Sequence, residues 1–170
     1  MNIVIATDGA LDAATTAEMV ASLAAGGTVT VLTVVEVPRR LLSDLRTVYG
    51  ERSSPAVDAD AEYVGIAPAE PDVGRDFPGE DSIIDQYLAN QRAERTGPVV
   101  AALEAAGVPV TVEILESENT ARTIITSLKE SKADLAVLGT HGLGLFEGLL
   151  GAVGTKVTRH APCSVLLVRS

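Results

Sequence analysis

The chain has 170 residues, a formal net charge of −10 and a single cysteine. That length suits one domain with a core of its own, the lone thiol excludes an intrachain disulfide, and the negative charge disfavours nucleic acid and anionic membranes. The apolar runs, such as Val165 to Val168, are far too short to span a bilayer, and the first residues enter an apolar strand and meet Asp8 before a signal-peptide core could form. Together these features predict a soluble, cytoplasmic protein in a reducing compartment.

Asn2-Ile3-Val4-Ile5-Ala6-Thr7 reads as a buried strand that ends at the turn Asp8-Gly9. Ala13, Ala17, Val20, Ala21 and Ala24 then recur at helical spacing and stop at Gly26-Gly27, a usual helix exit. Residues 28–35 are β-branched nearly throughout, which marks a second strand buried on both faces and joined to the first as a right-handed βαβ unit.

From Pro38 to about Glu80 the periodicity lapses. Pro55, Pro68, Pro71 and Pro78, several glycines and scattered acids make this an acidic insertion, in which Leu41, Leu42 and Leu45 suggest one short helical turn. Because it follows the second strand, the insertion leaves from the same edge of the sheet as a ligand crevice at the strands' carboxyl ends. It is either a solvated loop or a lid or docking arm anchored by Tyr49, Tyr63 and Phe77.

Regularity returns at Ile83, Ile84, Tyr87 and Leu88 and continues through Val99, Val100 and Leu103 to Gly107, a helix in which Gly97-Pro98 predicts a kink or a break. Residues 108–115 alternate as a third strand. Ser117 is placed to cap a helix whose inner face is Ala121, Ile124, Ile125 and Leu128. A fourth strand, residues 135–138, runs into Gly139-Thr140-His141-Gly142; a helix follows over 150–161 with Val153 and Val157 inward, and the last strand is 164–169.

The alternation of strands and helices predicts an α/β fold, a single doubly wound parallel sheet of five strands with helices on both faces. In such folds ligands sit outside the carboxyl ends of the strands. Two strand ends carry suitable residues here. One is Thr7-Asp8-Gly9. The other is the glycine turn Leu138-Gly139-Thr140-His141-Gly142, followed by a helix opening at Gly151-Ala152-Val153. Glycines let backbone N–H groups face outward, and a helix N-terminus offers unpaired donors with partial positive charge, so this second segment has the form of a phosphate-binding turn. The charge distribution agrees: the acids crowd between Asp44 and Glu94, whereas the last twenty residues carry Lys156, Arg159 and Arg169 and no acid.

Several residues carry plainer readings. Asp8 serves either as a ligand group at the crevice or as a cap on the first helix. His141 is a donor to phosphate or simply an exposed loop side chain, His160 caps a helix C-terminus, and Cys163 is a small buried hydrophobe. Two histidines and one cysteine do not assemble a zinc site. The chain has no Walker lysine, no Gly-x-Gly-x-x-Gly after the first strand and no Ser-His-Asp set at one strand edge, which points away from an enzyme and allows at most weak ATP hydrolysis.

Asp8-Gly9 at the first strand end, Leu-Thr-Val-Val-Glu-Val-Pro at 32–38, the segment 133–142 and the ending Arg159-His160-Ala161-Pro162-Cys163-Ser164-Val165-Leu166-Leu167-Val168-Arg169 resemble the universal stress protein family over nearly the whole chain except the 38–80 stretch. The resemblance implies a single Rossmann-like domain over 1–170 with an insertion at about 39–80, the strand order 3-2-1-4-5 and a homodimer through the last strand, residues 164–169. It also implies an adenine-nucleotide-responsive stress and signalling role, with Asp8 holding the adenosine, Val34 against the base, and Gly139 and Gly142 near the ribose and phosphates. The residues singled out for such a ligand are Thr7, Asp8, Val34, Leu138, Gly139, His141, Gly142, Gly151, Ala152 and Val153.

Two departures bear on the ligand. The interval from Gly142 to Gly151 is one residue shorter than the family's ATP-binding pattern, and Ala152 stands where that pattern has serine or threonine. A second registration, from Gly144 to Gly154-Thr155, restores the interval and the hydroxyl but moves the paired glycine from 139 to 141, where histidine stands. Loss of a hydroxyl donor to phosphate weakens binding by about 1–2 kcal/mol. The cofactor is therefore ATP, with or without Mg, held weakly, or a ligand with fewer phosphates such as AMP or cyclic AMP. The competing reading is a dimeric scaffold of the same family that acts through protein contacts without a nucleotide.

Overall fold

The computed structural model describes residues 1–24, 26–36, 80–140 and 151–169. The chain divides into two compact units, residues 1–37 with 86–170 and residues 38–85. Of the second, only the opening of a helix belongs to the described residues. The insertion read at 39–80, with its helical turn at Leu41, Leu42 and Leu45 and its aromatics Tyr49, Tyr63 and Phe77, lies outside them but for Glu80.

Among the described residues the strands are β1 (Asn2–Ala6), β2 (Thr28–Val35), β3 (Val110–Glu116), β4 (Leu135–Gly139) and β5 (Ser164–Val168), interleaved with α1 (Ala13–Leu23), α2 (Glu80–Ala105), α3 (Thr120–Glu130) and α4 (Ala152–His160). All pairings are parallel and the order is β3-β2-β1-β4-β5, as expected.

The register places Ala6 opposite Leu32 on one side and Leu138 on the other. Alternate residues of the strands therefore feed two cores. Ile3, Ile5, Val29, Val31 and Val137 pack with Ala17 and Val20 of α1 and Val99 and Leu103 of α2. On the opposite face Val4, Ala6, Leu32, Val34, Ala136 and Leu138 pack with Ala121, Ile124 and Leu128 of α3 and Val157 of α4. The central strands are buried on both faces, which is why their sequences read as continuous β-branched runs.

Several local expectations are corrected. Helix α2 is continuous from Glu80 to Ala105 with Pro98 inside it. Proline removes the N–H that would meet the Glu94 carbonyl, but Glu94 and Pro98 are both exposed, so water can solvate that carbonyl, while the alternate face, with Thr96 and Val99, is buried. The cap of α3 is Asn119, whose side chain accepts from Arg122 N at 3.2 Å; the Ser117 hydroxyl accepts from Asn119 N at 3.1 Å and braces the cap from outside. The inner face of α3 carries Ser127 beside Ala121, Ile124 and Leu128, and Ile125 is only partly buried.

Asp12, rather than Asp8, caps α1, accepting from Thr15 N at 2.7 Å. Hydrogen bonds from Thr15, its side chain first and this backbone N–H second, hold the Asp12 carboxyl below its ordinary value. Helix α4 starts at Ala152 with Gly151 as its cap, so Gly154 is an interior residue and the registration that would open the helix at Gly154-Thr155 does not apply. Val157 is fully buried as expected, but Val153 is 39 % exposed. Arg159 and His160 occupy the last turn of α4, where the Arg159 cation complements the carbonyl end; the C-cap itself is Ala161, whose N–H reaches Val157 O. Cys163 is half-buried against the second core rather than enclosed by it, and partial burial raises its thiol pKa, which keeps it protonated.

Candidate functional site

The connections after β1 and β4 part to opposite faces of the sheet: α1 packs with the first core and α4 with the second. Adjacent strands whose connections diverge in this way leave a crevice at their carboxyl ends. A cavity of about 300 Å³ occupies it, on the α3 and α4 side.

Its floor is apolar. Ala6 and Leu138 come from the last residues of β1 and β4, Leu32 and Val34 from the end of β2, and Ile124 from the first turns of α3. Sequence reasoning placed Leu32 and Ile124 in the core and missed them as lining. The signal was in the register, because the residue opposite Ala6 at the strand end must share its face.

The polar edge is built by the turn after β1. Thr7 is buried; its N–H continues the ladder to Leu32 O at 3.0 Å, and its hydroxyl accepts from Gly9 N at 3.0 Å. Gly9 has φ +101°, a conformation that favours glycine, and this allows the chain to turn out of the strand at once. Asp8 is exposed and accepts from Ala10 N at 3.1 Å, a short Asx turn that presents the carboxylate at the cavity. Thr120, the first helical residue of α3, adds a side chain that sequence reasoning did not single out.

The opposite edge is the start of α4. Gly151, Ala152, Val153 and Gly154 all line the cavity, and Gly151 supplies no side-chain cap to the helix. The first intrahelical bond from this end is Thr155 N to Gly151 O at 2.9 Å. The earlier amides lie ahead of the helical ladder and form the positive end of the helix dipole. The partial exposure of Val153 follows from this position: in the first turn, beside the crevice, it faces the cavity and not the core.

Thr7, Asp8, Val34, Leu138, Gly139, Gly151, Ala152 and Val153, named from the sequence, thus line one cavity. His141 and Gly142 lie outside the described residues. Among the described residues no group of three or more His, Cys, Asp or Glu side chains is arranged to hold a metal ion, and no helix is long and apolar enough to cross a membrane.

The arrangement has complementary ends: a carboxylate that accepts from hydroxyl or amino groups, an apolar floor suited to a planar ring, and a helix N-terminus suited to an anion. The fold and crevice define a doubly wound α/β protein with a cavity at its topological switch point. More particularly, the chain belongs to the universal stress protein family, whose family model matches residues 1–169. Universal stress protein MJ0531 of Methanocaldococcus jannaschii is 34% identical over 113 residues, 66% of this chain and 66% of that protein, so the chain spans slightly less than two thirds of that relative's length. Among solved structures, hypothetical protein MJ0577 superimposes with a TM-score of 0.62 at 18% identity, covering 99% of this chain and 95% of its own. A universal stress protein in complex with cAMP superimposes with a TM-score of 0.53 at 18% identity, covering 99% and 96%. At these identities the structural likeness concerns the fold.

Proposed function

We propose that the protein binds an adenine nucleotide in the cavity at the carboxyl ends of β1 and β4 and acts as a ligand-responsive stress and signalling module without fast catalysis. The observation that carries this reading is the convergence of Asp8, the apolar floor with Val34, and the amino end of α4 on one cavity. The cAMP complex of a structural neighbour supports the same ligand class.

In this reading the base lies over Val34 and Leu32, Asp8 accepts from the ribose hydroxyls, and the phosphate meets the first amides of α4. The phosphate then lies at the edge opposite Asp8, which limits repulsion between the two anions. A volume of about 300 Å³ is at the small end for ligand cavities, and the start of α4 offers Ala152 where a hydroxyl would assist a phosphate chain. Both features favour AMP or cyclic AMP over ATP with Mg.

The reading includes a homodimer through β5, in a cytoplasmic setting. β5 is an edge strand with no charged residue between Ser164 and Val168, and Leu167 on it is 37 % exposed. The other edge strand, β3, carries Glu113 and Glu116. An apolar, uncharged edge is a template for pairing.

Calorimetry with AMP, cyclic AMP and ATP tests the nucleotide reading. Binding at micromolar ligand that Asp8→Ala abolishes is the expected result. Absence of binding to any of the three at millimolar concentration would leave the scaffold reading in its place.

A further inference from the structure

On the side of β2 that faces β1, the carbonyl ladder runs out one step before the strand does. Leu32 O accepts the last ladder bond, from Thr7 N at 3.0 Å. Carbonyls of a parallel strand alternate in direction, so the next one on this side is that of Val34, whereas Val35 O points to the other neighbour and accepts from Ser117 N at 3.0 Å. No β1 residue stands opposite Val34, because the pairing ends at Ala6 and Leu32 and the chain then turns away through Asp8 and Gly9.

The Val34 carbonyl is met by Arg95 instead, whose Nη1 donates to it at 3.1 Å. Arg95 comes from α2, on the sheet face opposite the cavity. Its stem runs beside Gly9: a Cβ at Gly9 would lie 3.5 Å from Arg95 Cα and 3.7 Å from its Cγ. The guanidinium thus crosses the end of the sheet from behind and takes a backbone acceptor of a residue that lines the cavity.

We infer that Arg95 is a specificity-determining positioning residue of the nucleotide site: by donating to the Val34 carbonyl it occupies one of that oxygen's two acceptor positions and makes it a poorer acceptor for an incoming base. The inference rests on the nucleotide reading above. A guanidinium has several N–H donors and no acceptor. With Arg95 in place the Val34 carbonyl is shared; with Arg95 gone, the freed carbonyl gains strength toward a ring edge that donates, such as the amino group of adenine, and not toward one that accepts, such as the carbonyl of hypoxanthine.

The ratio of IMP to AMP affinity reads this directly, because a merely structural role of Arg95 would weaken both ligands together. In Arg95→Met, which keeps the length of the stem, the preference should move toward AMP by about fivefold or more, the worth of roughly one hydrogen bond. In Arg95→Lys, which keeps a donor, the ratio should stay near that of the unaltered protein. Thermal unfolding of each variant establishes that it folds, and Arg95→Gln, which also retains a donor, substitutes should Arg95→Met fail to fold. In that case Arg95→Gln must retain the native ratio and Arg95→Ala must lose it.

If AMP binds the unaltered protein and the ratio is the same in Arg95→Met, the inference is wrong and the nucleotide reading stands. If none of the proteins binds either ligand, both fall.

Discussion

At the amino end of the sheet, Asn2 donates through its N–H to Asp134 Oδ2 at 2.6 Å and through its side chain to Ser131 O at 2.5 Å, while its side-chain oxygen accepts from the Thr28 hydroxyl at 2.9 Å. Asp134 N returns a bond to Asn2 O, and Thr28 N reaches Met1 O. These bonds tie β1, β2 and the approach to β4 together. At the carboxyl end of the same strands the chain turns away from the ladder at Thr7 and Asp8, an arginine from another helix meets the Val34 carbonyl, and a cavity of about 300 Å³ opens. The same three strands are closed at one end and open at the other. The closed end should govern stability and the open end binding, and substitutions at each can separate the two.

The largest effect is expected at Gly27. A Cβ there would stand 2.0 Å from Met1 O, a backbone atom that cannot rotate away. Gly27→Ala should therefore lower unfolding stability by about 2–3 kcal/mol, measured by chemical denaturation, with AMP affinity unchanged. A loss of affinity at this remote end would break the division. Asp8→Ala is the reverse case: AMP affinity should fall at least tenfold, about 1.4 kcal/mol, while stability stays within about 0.5 kcal/mol. An unfolding shift larger than that would make Asp8 a structural residue.

Thr33 sharpens the comparison from the carboxyl end of β2, where it alternates with the cavity-lining Leu32 and Val34 and so belongs to the other sheet face. It is 1 % exposed there, and among the described residues its hydroxyl has no hydrogen-bond partner. Thr33→Val replaces an unsatisfied buried polar group by one of the same shape and should stabilise the protein by about 1 kcal/mol, visible as a raised Tm with no change in binding.

The smallest effect concerns acid stability. The Asp12 carboxyl is held below its usual 3.8 by hydrogen bonds from Thr15, the side chain first and then the backbone N–H. A depressed native pKa contributes stability that is complete above the unfolded value and is lost as pH falls through the native value. Asp12→Asn retains a capping acceptor but does not titrate. Its stability should fall less steeply than that of the unaltered chain as the pH drops below about 4, and parallel acid profiles would remove Asp12 from the account.

The layer architecture was legible because it is written in residue type. The β-branched run at 28–35 and the apolar spacing of Ala17, Val20 and Ala24 permit little else, and both became the expected elements. The strand order was not written there; it came with the family motifs. The polar turn at Thr7 and Asp8 and the glycines at 139 and 151 mark strand and helix ends, so their meeting at one cavity could be anticipated from topology.

What escaped depends on three-dimensional neighbours. Proline at 98 reads as a kink or a break, yet it and Glu94 lie on the exposed face and the helix continues through it. Val153 reads as core by its spacing, but the first turn of α4 overhangs the crevice. Arg95 sits between unremarkable residues, and only the register of β1 against β2 shows that a carbonyl waits for it.

The most direct test of the central claim is an amide nitrogen–proton spectrum titrated with AMP. The account predicts saturable shifts at Asp8, Gly9, Gly139 and Ala152 to Gly154 around the cavity, with Asn2, Thr28 and Asp134 at the closed end silent. Shifts confined to residues away from the carboxyl ends of β1 and β4, or none at millimolar AMP, would contradict it.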